Sequence, residues 1–310
     1  MIKVDSLTVK YKDFCAVDDI SFSVGRQEIF GIIGSNGAGK TSTVECMEGL
    51  RKPCSGNVSI MGCDPWKDRK QLHEIIGVQL QDTSYQDRAR VYEICELFSS
   101  LYDNPMPYGR MLEAFGLEDK RKAFVSKLSG GQKQKLAIVL SLISNPKVVF
   151  LDELTTGLDP KARHQMWDMI LELRERGLTI VIVSHFMDEV EAICDRVAIM
   201  NKGRISHMGT VGSIVEQYGL KQKLTFRTTA SDISSLKTLD CIASVHQEKD
   251  LVTLLGNGND YVNRVLTYLG DNSIQYTDLS VKKPDLEDVF LDLVGYASES
   301  DTSEKRQRRI

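Results

Sequence analysis

The sequence predicts an α/β fold followed by a smaller α+β domain, and three observations carry that prediction. From residue 1 to about 215, short apolar runs alternate with helical hydrophobic spacing, as in a parallel sheet wrapped by helices. One of these runs feeds a glycine-rich loop that opens a helix. Beyond Tyr218-Gly219-Leu220 the motifs stop, and short strands and helices follow in the order β-α-β-β-α-β, compatible with a ferredoxin-like unit. A chain of 310 residues has length enough for two such domains and their cores.

The elements justify themselves in order. Glu28-Ile29-Phe30-Gly31-Ile32-Ile33 reads as a buried strand entering the loop Gly34 to Thr41. Ile75-Ile76-Gly77-Val78 reads as another strand, with Gln81 just past its end. Between Thr83 and Lys127 the character turns helical. Val91, Ile94, Cys95, Phe98 and Leu101 share one helical stripe, and Met111, Leu112, Phe115 and Leu117 a second. Val148 to Leu151 and Thr179 to Ser184 are continuously apolar, as expected of strands covered on both faces. In the second domain, strands are expected at residues 224–228, 242–246, 251–255 and 274–279, with helices at 232–239 and 261–269. Pro284-Asp285 opens a final helix, since proline and acids favour a helix N-terminus. The polar end from Ser298 onward, with Lys305, Arg306, Arg308 and Arg309, reads either as a solvated disordered tail or as a contact for anionic headgroups.

Composition excludes several classes. A formal charge of −4 argues against a dedicated nucleic-acid binder, which usually carries a basic face. No apolar run reaches the roughly 18–20 residues that span a bilayer, and Met1-Ile2-Lys3-Val4-Asp5 lacks a signal-peptide core. The chain is expected in the cytosol. Its seven cysteines include no C-x-x-C pair, so reduced thiols are expected rather than disulfides or a zinc site.

The chemistry begins at Gly34-Ser35-Asn36-Gly37-Ala38-Gly39-Lys40-Thr41, followed by Ser42. Glycines let backbone N–H groups close around phosphate oxygens, and the following helix turns its positive end to the same anion. Lys40 supplies a full charge for the β- and γ-phosphates, and the Thr41 hydroxyl is placed for Mg²⁺. Asp152 ends an apolar strand, where its carboxylate can hold Mg²⁺ directly or through water. Glu153 beside it is suited to polarise an attacking water. Ser129-Gly130-Gly131-Gln132 opens another helix and forms a second anion-binding end, which suggests a nucleotide clasped between two protomers. His185, at the end of Ile180-Val181-Ile182-Val183-Ser184, can bond the γ-phosphate and the water. The Gln81 amide can reach the metal or the water. Tyr11 is either a base-stacking ring or an ordinary strand tyrosine.

As an ordered set these motifs resemble the ATP-binding subunit of ABC transporters over the first two-thirds of the chain. Tyr11 matches the adenine-stacking loop and Gly34 to Thr41 the Walker A motif. Gln81 matches the Q-loop, Ser129 to Gln132 the signature, and Asp152 and Glu153 the Walker B pair. Asp159, in Thr156-Gly157-Leu158-Asp159-Pro160, matches the D-loop, and His185 the switch histidine. The stretches from Gly177 to Met200 and Leu286-Glu287-Asp288-Val289-Phe290 resemble the drug- and antibiotic-exporter branch.

The resemblance implies a P-loop NTPase core at residues 1–218, with a helical subdomain at about 83–135, and the residue pattern beyond it predicts a small α+β domain at 219–297 and a disordered tail at 298–310. The resemblance also implies binding of ATP and Mg²⁺, hydrolysis, a head-to-tail homodimer, and a separately encoded transmembrane permease. The place so implied is the cytoplasmic face of the membrane. A regulatory or mechanotransmitting ATPase is the alternative. DNA-acting relatives insert a long coiled coil between the glycine loop and the signature, and the interval from Lys40 to Ser129 is too short for one. Three departures stand out. Leu154 replaces the usual proline after the glutamate, so a looser backbone is expected there; Asp87-Arg88-Ala89-Arg90 is unusually charged; and the signature continues Gln132-Lys133-Gln134-Lys135, with lysine where arginine is common.

Overall fold

Period-one and period-two hydrophobicity sort the strands into buried parallel and half-buried antiparallel sheets. The computed structural model describes residues 1–79, 88–219, 221–230, 233–256, 258 and 260–293. The chain starts with β1 (Ile2–Tyr11) and β2 (Phe14–Val24), then β3 (Ile29–Gly34), which runs into helix α1 (Lys40–Met47). Next come β4 (Ser55–Ile60), α2 (Arg69–Ile75), β5 (Ile76–Gln79), α3 (Val91–Ser99), α4 (Tyr108–Ala114) and α5 (Gly130–Leu142). The first unit closes with β6 (Val148–Asp152), α6 (Pro160–Glu175), β7 (Thr179–Ser184), α7 (Met187–Ile193), β8 (Arg196–Asn201) and β9 (Arg204–Gly209).

β2, β1 and β4 make an antiparallel sheet, and the larger sheet runs β5-β6-β7-β3-β8-β9. Its first five strands are parallel and β9 is antiparallel to β8. Alternation along each central strand splits the core in two. Ile29, Val149, Leu151, Ile180 and Ile182 face the helices, while Phe30, Ile32, Val148, Phe150, Val181 and Val183 face α1 and the antiparallel sheet. The rings of Phe22 and Phe30 stack at 5.3 Å. The carboxyl ends of β3, β6 and β7 therefore open side by side, where ligands of such sheets bind.

The helical region departs from its predicted bounds. Leu101 falls beyond α3 and is 66% exposed, because Ser100 ends that helix by donating Oγ to the Leu97 carbonyl at 2.6 Å. Phe115 and Leu117 are buried but lie past α4. Gly116, at φ 64°, turns the chain so that the Leu117 N–H closes onto the Leu112 carbonyl at 2.7 Å. The looser backbone expected at Leu154 is opposed by its complete burial in the helix-side core.

Contacts divide the chain into two compact units, residues 1–211 and residues 212 onward. Helix α8 (Val211–Tyr218) leads into β10 (Gln222–Arg227), a 3₁₀ turn at Ser234–Thr238, β11 (Ile242–Glu248), β12 (Leu251–Gly256), α9 (Tyr261–Asp271) and β13 (Thr277–Lys282). The strands form one antiparallel sheet in the order β11-β12-β10-β13. Leu224, Phe226, Val252 and Leu254 pack with Tyr261, Val265 and Leu269 of α9.

Two expectations are corrected here. The helix expected at 232–239 is only the 3₁₀ turn, where the Thr238 hydroxyl bonds the Ser235 carbonyl and competes with an α-helical ladder. The strand expected at 274–279 starts at Thr277. Ile274 instead closes α9, its N–H donating to the Leu269 carbonyl behind Ser273 at φ 53°. Residues 286–293 are helical, and Asp285 caps them by accepting the Asp288 N–H at 2.9 Å.

Candidate functional site

β3 delivers its last residue, Gly34, to a loop that only glycine can build. Gly37 and Gly39 hold φ of 80° and 101°, and a Cβ on Gly39 would fall 2.4 Å from the Ala16 carbonyl oxygen. Ala38 is buried beneath the loop, Ser35 is half-buried, and Asn36, Gly37 and Thr41 are exposed. Lys40, only 8% exposed, folds its Nζ back to donate to the Gly34 and Ser35 carbonyls at 2.8 and 3.0 Å. Burial lowers the pKa of this ammonium, while Glu153 and then Asp152 oppose the shift. The cation is thus held at the loop's centre by backbone oxygens that a phosphate can replace.

Asp152 closes β6 beside it. Burial, then repulsion from Glu153, raises its pKa, and Lys40 pulls the other way. Glu153, the next residue, leaves the strand at φ 49° with its N–H bonded to the Val183 carbonyl at 2.9 Å. Its Oε1 lies 3.2 Å from His185 Nδ1, and Oε2 accepts from Thr156 Oγ1 at 3.5 Å. The exposed His185 ring packs on Phe186 at 4.1 Å between centroids. A carboxylate, an imidazole and a buried cation therefore converge at one sheet edge.

The other predicted residues fall around this centre. Tyr11 ends β1 and shares a hydrogen bond with Ser42 Oγ at 3.0 Å, so Ser42 faces the tyrosine. The Arg51 guanidinium covers one face of the Tyr11 ring at 4.4 Å. Ser129 caps α5 reciprocally with Gln132: Oγ accepts the Gln132 N–H at 3.3 Å, and Gln132 Oε1 accepts the Ser129 N–H at 3.0 Å. Ser129 and Gly130 are exposed, and Gly131 and Gln132 half-buried. Among the described residues, no hydrogen bond or ion pair joins residues 129–132 to the phosphate loop. Asp159 caps α6 through the Ala162 N–H at 3.0 Å, with Pro160 next. Gln81 lies outside the described residues.

Two groups escaped the sequence reading. Gln79, buried at the end of β5, accepts the Asp152 N–H on its side-chain oxygen at 3.2 Å. A polar residue in an otherwise apolar strand was the available signal. Glu48 caps α1 and is 6% exposed; burial, then Asp152 and Glu45, push its pKa up to about 8. A glutamate at a helix end gives no sign of burial in one dimension.

Because its folded pKa is raised, Glu48 favours the fold fully below about pH 4.3, and that favour is lost as pH rises towards 8. The loss is at most about 1.4 kcal/mol per pH unit. Thermal unfolding of nucleotide-free protein should show wild type weakening against Glu48→Gln between about pH 5 and pH 8. Parallel curves for the two proteins would contradict a neutral buried carboxyl.

The sheet, the glycine cradle and the acid pair define a phosphate-loop nucleotide hydrolase. Residues 17–156 match the family described as ABC transporter. The chain is 38% identical over 213 residues to the Nod factor export ATP-binding protein I of Burkholderia orbicola, covering 67% of this chain and 70% of the relative. It is 27% identical over 314 residues to the daunorubicin/doxorubicin resistance ATP-binding protein DrrA of Streptomyces peucetius, covering 98% and 95%. A solved ATP-binding subunit of an ABC transporter matches with TM-score 0.65 at 28% identity, over 71% of this chain and 93% of that one. The chain belongs to the ABC transporter family, as an ATP-binding and ATP-hydrolysing subunit. Among its described residues no helix is long and apolar enough to cross a membrane.

Proposed function

We infer that this chain powers export of a drug-like or antibiotic-like solute through a separate membrane permease, working as a head-to-tail pair at the cytoplasmic face of the membrane. The convergence of Lys40, Asp152, Glu153 and His185 at one sheet edge carries the reading. Resistance relatives aligned along nearly the whole chain favour the exporter branch.

In the proposed arrangement the N–H groups of residues 35–41 and the Lys40 ammonium bind the phosphates. A base stacks on the face of Tyr11 that Arg51 leaves free. Among the described residues no cluster of three or more His, Cys, Asp or Glu can ligate a metal. Mg²⁺ fits this donor set of hard oxygens, Thr41 hydroxyl and Asp152 carboxylate, completed by phosphate and water. When bound it supplies charge neutralisation at the phosphates. Glu153 takes the proton of the attacking water, and His185 steadies the γ-phosphate and the glutamate together. Gln81 is assigned to the same water or metal from the sequence motif. The exposed Ser129, with Gly130, Gly131 and Gln132, reaches the γ-phosphate of the partner's nucleotide, with Asp159 beside that junction. Residues 219–297 form a ferredoxin-like accessory domain, supported by the antiparallel order β11-β12-β10-β13 and the helix α9 on one face. It stabilises or regulates the dimer.

Ser129→Arg tests the shared site. Nucleotide affinity of the single chain should stay near wild type, while ATP turnover should fall by about 10²-fold, as for a lost oxyanion donor. Normal turnover in that variant would rule out a composite site. Co-expression with the membrane protein of the neighbouring reading frame tests the transport reading, since a stable complex stimulated by solute is expected.

A further inference from the structure

Behind the Glu153–His185 contact lies a buried acid that the proposed mechanism leaves without a part. Glu189, on α7, is completely buried. Its Oε2 accepts from Ser184 Oγ at 2.5 Å, and that hydroxyl in turn accepts the Phe186 N–H at 3.0 Å. Ser184 and Phe186 flank His185, so the pair of bonds fixes the turn that presents the imidazole.

The same carboxyl faces the turn on the other side of the site. Thr155 is fully buried two residues after Glu153, and its carbonyl accepts the Leu158 N–H at 3.2 Å, one residue before Asp159. Thr155 Oγ1 and Trp167 Nε1 lie near enough to Glu189 to favour its charged form, against a larger effect of burial. Yet both atoms, and Glu189 Oε1, are buried without a hydrogen bond of normal geometry. Unmade bonds of buried polar groups are rare and costly, and catalytic arrays often tighten only around their substrate.

We propose that Glu189 is a positioning residue, bracing the His185 turn through Ser184 against the Glu153–Asp159 turn through Thr155, with Trp167 completing the clasp when nucleotide binds. The brace keeps carboxylate and imidazole in reach of one water. Misplacement by about 1 Å in such an array costs on the order of 10²-fold in rate. The proposal rests on Glu153 and His185 being the reacting pair.

The test is steady-state ATP hydrolysis by the full chain. Glu189→Ala should lower kcat by about tenfold or more while KM for ATP changes by less than about threefold. Glu189→Gln should recover most of the rate, since its amide oxygen still accepts from Ser184. In a Trp66→Phe background, which leaves Trp167 as the one indole, ATP should shift the emission when Glu189 is present but not in Glu189→Ala. A kcat within twofold of wild type for Glu189→Ala, or a glutamine variant as slow as alanine, would overturn the brace. If Glu189→Ala does not fold, Thr155→Val and Ser184→Ala must each show the kcat-selective loss, and their normal turnover would overturn it equally. Glu153→Gln is measured alongside. Turnover surviving there removes the reacting pair itself, whereas its loss beside a fully active Glu189→Ala removes only the brace.

Discussion

Glu153→Gln should bind ATP as wild type does and lose turnover by about 10²–10⁴-fold, the range expected for a missing general base. The amide keeps the shape of the carboxylate and its oxygen still accepts from Thr156 Oγ1. What it cannot do is take a proton from water. At the 3.2 Å contact to His185 Nδ1 an amide then stands in place of the carboxylate, so the imidazole loses its acid partner but not its place. Nucleotide contacts at the glycine cradle are untouched, and bound ATP should therefore persist and hold two chains together. Phosphate release at saturating ATP, read beside size-exclusion with and without nucleotide, checks both halves. Wild-type release would exclude Glu153 as the base, and a protein that stays single at saturating ATP would count against the paired arrangement.

Lys40→Ala should act one step earlier, at binding. The ammonium's two carbonyl partners at 2.8 and 3.0 Å are ones it can exchange for phosphate oxygens. Charged hydrogen bonds contribute about 1.5–3 kcal/mol each, so losing the group should weaken ATP affinity by at least roughly 10²-fold. A second effect compounds the first. Lys40 is the charge that pulls the Asp152 pKa down against burial and Glu153. Without it the Asp152 pKa rises further, and a protonated carboxyl is a poorer oxygen donor to Mg²⁺. Titration of nucleotide by calorimetry measures this directly, and near-normal affinity would contradict the cradle as drawn.

Most of the site could be read in one dimension because it is built from local segments. The strand, loop and helix from Ile29 to Met47 are contiguous, and continuous apolar runs marked β6 and β7 because both faces of those strands are covered. Errors arose where a helix ended by backbone bonds rather than by a change of hydrophobicity. Leu117 and Ile274 both belong to helix-closing turns, yet each continues an apolar pattern, so the pattern predicts α4 too long and β13 too early. Gln79, Glu48 and Glu189 were missed for another reason. Their burial comes from elements far away in sequence, and a lone acid or amide carries no mark of what will cover it.

The position of β3 has a further consequence for synthesis. The strand that bears the phosphate loop is made early, but its two neighbours are β7 and β8, with Ile29 beside Ile180 and Phe30 beside Arg196. A nascent chain therefore holds its loop without lateral support until β7 and β8 have left the exit tunnel, and such distant pairings form slowly. Truncated products ending before β7 should leave both backbone edges of β3 unpaired rather than retain a weakened cradle. Nucleotide affinity should accordingly emerge as one late, cooperative event during translation.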